Sequence, residues 1–135
     1  MFEQTLGRAV AKSLPPRVAE VHWDNKWVRY WLKDSPNQLR WGQIDLLVVG
    51  QDAVLVGECK LTQQFAGRQE LNRLYLPLVR HMWPDKAIVP VLFFSNPTEA
   101  KYHNGDLQET VEFVAKCLTH KPKVEGVIDL SLIHI

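Results

Sequence analysis

The chain has only two cysteines, Cys59 and Cys117, and neither belongs to a CxxC pair of the kind that binds zinc or cycles as a disulfide. Cys59 falls in an apolar stretch, where a free thiol usually behaves as a small hydrophobe, so a reducing, cytoplasmic setting is expected. Long hydrophobic runs are missing as well. The longest, residues 87–94, is interrupted by Pro90 and falls far short of the roughly 20 residues a membrane-spanning helix needs. No charged start followed by an apolar run marks a secretory leader. Neither sign of charge dominates: 16 basic residues stand against 15 acidic ones, for a net charge of +1. Attraction to a polyanion must therefore come from local patches, which weighs against a non-specific DNA coat protein and leaves an enzyme open. The five histidines (His22, His81, His103, His120 and His134) show no HxH or HExxH spacing, so a zinc site is not supported. A phosphate-binding P-loop and a dinucleotide glycine fingerprint are both lacking, which excludes ATP hydrolysis by this chain.

What is present is an ordinary globular composition, 46% hydrophobic and 23% charged over 135 residues, read as one domain over 1–135. Phe2, Leu6, Val10 and Leu14 recur four apart, one stripe of an amphipathic helix that Pro15-Pro16 ends. Residues 17–23 suggest a short strand, Asp24-Asn25 a turn, and residues 27–32, rich in aromatic and β-branched side chains, a second strand. Residues 33–38 are expected to form a polar loop. Two apolar strands follow, 42–49 and 53–61, covered on both faces. Leu71, Leu74, Tyr75, Leu78 and Met82 predict a helix that Pro77 kinks or splits. Residues 87–94 read as a buried strand, Leu107, Val111, Val114 and Leu118 as a helix face, and residues 124–135 as strand-like. The order predicts an α/β fold, a central mixed sheet flanked by helices.

The chemistry concentrates in the pair of central strands. If Gln51-Asp52 is a two-residue hairpin loop, Gly50 faces Ala53, and counting outward sets Asp45 directly opposite Glu58, with Cβ atoms about 4.5–5.5 Å apart. Lys60 lies two residues beyond Glu58, on the same face of a regular strand. Two facing carboxylates on an apolar sheet repel each other and lose hydration, a cost that a divalent cation removes. Mg²⁺ suits such an oxygen-rich pair and keeps waters for a substrate phosphate. An adjacent ammonium can orient water or neutralise charge at phosphorus. The alternative is a structural ion-pair cluster, since isolated Glu-x-Lys triplets are common. Lys26, Arg29, Lys33 and Arg40 gather before these strands as candidates for phosphate contact, although basic loops are more often simply solvated. Trp23, Trp27, Trp31, Trp41 and Trp83 are expected in core or interface packing, with base stacking the lesser role.

The pattern strand-Asp-turn-strand-Glu-x-Lys, after an N-terminal helix bearing a glutamate, resembles the PD-(D/E)XK superfamily of restriction-type endonucleases, resolvases and related nucleases. The resemblance runs from Phe2 to about Phe94, the restriction endonuclease-like αβββαβ core. More narrowly, Tyr30-Trp31-Leu32, Gln43-Ile44-Asp45 and Val56-Gly57-Glu58-Cys59-Lys60 resemble the nuclease-like domain at the C-terminal end of many archaeal AAA-type ATPases. The resemblance implies Asp45, Glu58 and the Cys59 carbonyl as metal ligands and Lys60 as the catalytic lysine. It implies Glu3 as the helical acid that completes the site, with Glu20 as competitor. Gln63 and Gln64, just after the lysine, are candidates for contact with substrate or metal-bound water, although loop glutamines are usually just solvated. Ile44 stands where the eponymous proline would be. The implied activity is Mg²⁺-dependent endonucleolytic hydrolysis of DNA, branched or processed DNA among the candidate substrates (Mn²⁺ substituting), with a homodimer and an ATPase partner or fused ATPase domain as candidate assemblies and no membrane role. The rival reading is a catalytically silent module of the same fold that binds DNA or docks to an ATPase.

Overall fold

The computed structural model of the chain describes residues 2–23, 26–60, 64–94, 104–119 and 128–131. Helix α1, Phe2–Ser13, buries Leu6 and Val10, and Leu14 just beyond it, the stripe expected from the sequence. Pro15 cannot extend the helix, and its carbonyl instead closes a turn by accepting the amides of Val18 and Ala19 at 2.8 and 3.2 Å. The chain then enters β1, Ala19–His22. Two further strands, β2 (Lys26–Leu32) and β3 (Ser35–Ile44), pair as a separate antiparallel ribbon. They are followed by β4, Leu46–Gly50, and β5, Ala53–Lys60.

Two expectations are corrected here. Most of residues 33–38 is not loop: only Lys33 and Asp34 turn, and Ser35 already pairs with Leu32. Pro36 is tolerated because the ribbon's register shifts between Tyr30 and Leu32, an irregularity where a missing amide costs no ladder bond. Nor are residues 42–49 one strand, because the chain bends at Asp45 and passes from the ribbon into the main sheet.

The helical stretch beyond residue 63 comprises α2 (Gln64–Glu70), a π-turn (Leu71–Tyr75) and α3 (Leu76–Met82). Pro77 sits in the first turn of α3. Proline lacks an amide, and its ring crowds the carbonyl four residues back. The widened turn just before it, where the Leu76 amide reaches Leu71 O, accommodates both demands without ending the helix. Strand β6, Ala87–Phe94, runs parallel to β5. Helix α4, Asn104–Thr119, leads on to β7, Ile128–Ser131, parallel to β6. The turn Asp24-Asn25 anticipated from the sequence lies outside the described residues.

The five-stranded sheet therefore has the order β1-β4-β5-β6-β7 and is mixed, antiparallel on one side of β5 and parallel on the other. Each face carries its own core. Leu6 and Val10 of α1 and Val111 and Val114 of α4 cover Leu46, Val48, Leu55, Val91 and Phe93. Leu71, Tyr75 and Val79 cover Leu47, Val54, Val56 and Leu92 on the other face, together with Ile44 and Val28 from the ribbon. Fully burying such a side chain is worth about 1.5–3 kcal/mol, so alternation along β4 and β5 locks their register. Lys86 ties the far end of the sheet by donating to Gly50 O. Among the described residues no helix is long and apolar enough to cross a membrane.

Candidate metal centre

The β4–β5 register runs Val49↔Val54, Val48↔Leu55, Leu47↔Val56 and Leu46↔Gly57. The paired residues end there: Asp45, just before Leu46, sits in the bend, while Glu58 follows Gly57 in β5. Glu58 is only 4% exposed, a burial that carboxylates rarely show. Asp45 is half-buried, and its Oδ2 accepts the Cys59 amide at 2.9 Å. Amides alternate in direction along a strand, so Cys59 points both its N–H and its C=O towards the β4 edge. Ile44 would have supplied the next rung of that ladder, but it has left for the ribbon, and the Asp45 carboxylate stands in for its carbonyl. The Asp45 carboxylate thus lies against the β5 edge where the ribbon and the sheet part, beside the strand that carries buried Glu58.

Tyr75 closes the site from the helical side. Its hydroxyl donates to Gln43 O at 2.8 Å, two residues before Asp45. Burial pushes its pKa upward, and the negative charges of Glu58, Glu70 and Asp45 push it further, so it stays a proton-bearing donor. Gly42 makes room for this contact, since a Cβ there would meet the Tyr75 ring at 3.2 Å. Neither Tyr75 nor Glu70 was singled out for the site by the sequence. Tyr75 read as one more apolar position of a helix, and the i→i+5 turn that brings residues five apart towards one side leaves no mark in an α-helical pattern. Its proximity to Pro77 was the available signal.

The other candidates are placed as follows. Lys60 ends β5, in register with Phe94 of β6, and its side chain lies outside the described residues. The same holds for Glu3 in α1, for Lys26, whose backbone pairs with Ile44, and for Gln64 at the start of α2. Gln63 lies outside the described residues altogether. Glu20 is on β1 opposite Val49, four strand positions or about 13 Å from the level of Asp45, and it pairs with His22 at 3.6 Å; it does not join the site. Lys33 is at the ribbon tip, about 30 Å of strand from Asp45. Arg40 is half-buried and donates to Gln38 Oε1 at 3.4 Å, while Arg29 lies exposed against Trp41. A cleft of about 440 Å³ lined by Arg17, Glu20, Gly50, Gln51, Trp83 and Lys86 opens at the opposite end of β4.

Among the described residues no three His, Cys, Asp or Glu side chains converge as a metal site. The donors offered by Asp45, Glu58 and the Cys59 carbonyl are two carboxylates and a backbone oxygen. This all-oxygen set fits Mg²⁺, which keeps several waters and needs only one or two protein carboxylates. No family model, curated protein or solved structure matches the chain.

Proposed function

We propose that this protein is a Mg²⁺-dependent deoxyribonuclease of the PD-(D/E)XK kind. The observation that carries the proposal is the Asp45 carboxylate held to the Cys59 amide at 2.9 Å, next in the chain to the buried acid Glu58. The sequence of elements α1, β1, β4, β5, α2–α3 and β6 supports a restriction endonuclease-like core, into which the β2–β3 ribbon is inserted.

On this reading Asp45, Glu58 and the Cys59 carbonyl hold the ion, and Mn²⁺ can replace it. When bound, the ion supplies Lewis acidity at the scissile phosphate. Lys60 orients the attacking water and balances the charge that gathers on the phosphate oxygens. Hydrolysis forms one phosphorus–oxygen bond to water and breaks one ester bond, leaving a phosphate monoester and an alcohol. Glu3 completes or tunes the acid set from α1. Tyr75 fixes Gln43 and so holds the bend from which Asp45 projects.

The test is cleavage of linear, circular, single-stranded and four-way-junction DNA with Mg²⁺ or Mn²⁺, comparing the wild type with Glu58→Ala and Lys60→Ala. Metal-dependent cutting that is lost in both variants supports the enzyme. Absence of cutting on every substrate, with no metal binding by calorimetry, would leave a silent module that binds DNA or docks to an ATPase.

A further inference from the structure

We propose that the outer face of the β2–β3 ribbon is a stacking site for the unpaired bases of single-stranded nucleic acid. Tryptophans usually bury most of their surface, yet Trp27, Trp31 and Trp41 are 52%, 58% and 58% exposed. Val28 is buried in the core, so alternation along β2 turns Trp27 and Arg29 outward. Cross-strand register sets Arg29 opposite Trp41, and Trp27 opposite Gln43. Trp27 and Trp41 are therefore diagonal neighbours, about 7–8 Å apart at the backbone. The Arg29 guanidinium lies 5.8 Å from the centre of the Trp41 ring. Exposed Leu39, two residues from Trp41 along β3, extends the apolar surface towards the tip.

Contiguous exposed apolar surface of this kind marks a binding face, and charge selects its occupant. Of the ribbon's cations, Arg29 lies on the outer face against Trp41 and Lys33 at the exposed tip beside Asp34, while the whole chain is only +1. Aromatic rings among cations suit a polyanion that also offers flat π-faces. Single strands have both, with bases free to stack on tryptophan and phosphates within reach of arginine and lysine. In a duplex the base faces are already stacked and only the grooves and backbone remain to be read. The ribbon also has a direction, for β3 ends at Ile44 and the next residue is Asp45. A strand lying on Trp41 is about 13 Å, or four strand residues, from the acid pair. That the ribbon delivers this strand for cutting rests on the nuclease reading, whereas binding by the ribbon does not.

Binding is measured on the full chain in EDTA, by anisotropy of labelled oligo(dT), oligo(U) and a matched duplex, with tryptophan quenching as a second readout. The wild type is expected to bind the single strands more tightly than the duplex, and less tightly as salt rises. Trp27→Ala and Trp41→Ala should each weaken binding roughly five- to a hundred-fold, Arg29→Ala should weaken it and flatten the salt dependence, and Trp41→Phe should restore part of the affinity. The rings are exposed, so these variants keep the core, which thermal melting verifies. The two oligonucleotides separate DNA from RNA as the source of the strand. Failure of the wild type to bind, or equal binding by the alanine variants, overturns the site. A wild-type dimer that Trp41→Ala converts to monomer in sedimentation, without altered oligonucleotide binding, overturns it in favour of self-association. Intact binding without metal-dependent cutting of any DNA defeats the nuclease reading alone.

Discussion

The Asp45 carboxylate accepts the Cys59 amide at 2.9 Å, doing for the β5 edge what the Ile44 carbonyl would have done had the chain stayed in the sheet. Asp45 thereby serves as the last rung of one ladder and as the hinge to another, since Ile44 is already paired with Lys26 in the ribbon. One carboxylate oxygen is engaged in holding the fold, and on the nuclease reading proposed above the same side chain also holds the metal.

That double role separates two substitutions. Asp45→Asn keeps an oxygen for the Cys59 amide and should fold with near wild-type stability, whereas Asp45→Ala should lose about 1–3 kcal/mol. Urea denaturation measures the difference. Both are expected to abolish metal-dependent cleavage, and equal stability of the two variants would deny Asp45 its structural role.

Glu58 is expected to behave differently. Neutralising a buried acid relieves its desolvation, so Glu58→Gln should be as stable as the wild type or more so in metal-free buffer. Cleavage and calorimetric Mg²⁺ binding should both fall at least about 100-fold, in the range seen when a charge-stabilising group is removed. Thermal melts with and without Mg²⁺ check the stability part. A wild-type midpoint that Mg²⁺ raises, and a Glu58→Gln midpoint that it leaves unmoved, is the expected pattern.

Gly57 precedes Glu58 and lies under the Phe93 ring, where an added Cβ would come within 2.7 Å of the ring and 3.2 Å of Leu46 Cβ. Phe93 is fully buried and has no room to retreat. Gly57→Ala should therefore cost about 1–3 kcal/mol by overpacking, read as a lower denaturation midpoint. A neutral result would mean that β6 yields more readily than its packing suggests.

Tyr75 predicts an alkaline limit to stability. Burial, then Glu58, Glu70 and Asp45, raise its pKa above the ordinary 10.0, so the folded state holds the proton more tightly than the unfolded chain does. The contribution is fully present below pH 10 and is lost as pH rises past it towards the folded value, at up to about 1.4 kcal/mol per pH unit. Denaturation at pH 9 to about pH 11 should show this slope in the wild type and a shallower one in Tyr75→Phe. The variant should also be less stable by about 0.5–1.5 kcal/mol near neutrality, having lost the hydrogen bond to Gln43.

The sequence by itself determined the hairpin register, because a two-residue connection at Gln51-Asp52 leaves one alternation that buries Leu47, Val54 and Val56 together. The same count carries Asp45 to the β5 edge, where its carboxylate meets the Cys59 amide. It also determined α1, β5 and β6, whose apolar spacing has one reading, and the interruption announced by Pro77. Tertiary structure alone decided that residues 42–49 divide at Asp45, since either half is strand-like and only the pairing partners, Lys26 on one side and Gly57 on the other, draw the chain into two sheets. It brought Tyr75 to Gln43, 32 positions away in the chain, through a π-turn that local propensity does not encode. It also kept Trp27, Trp31 and Trp41 out of the core, one of the two packing roles, core or interface, expected of them. An alternating aromatic strand looks the same whether its second face is covered or open, and covering is settled by distant elements. In this protein none of the described helices lies over that side of the ribbon.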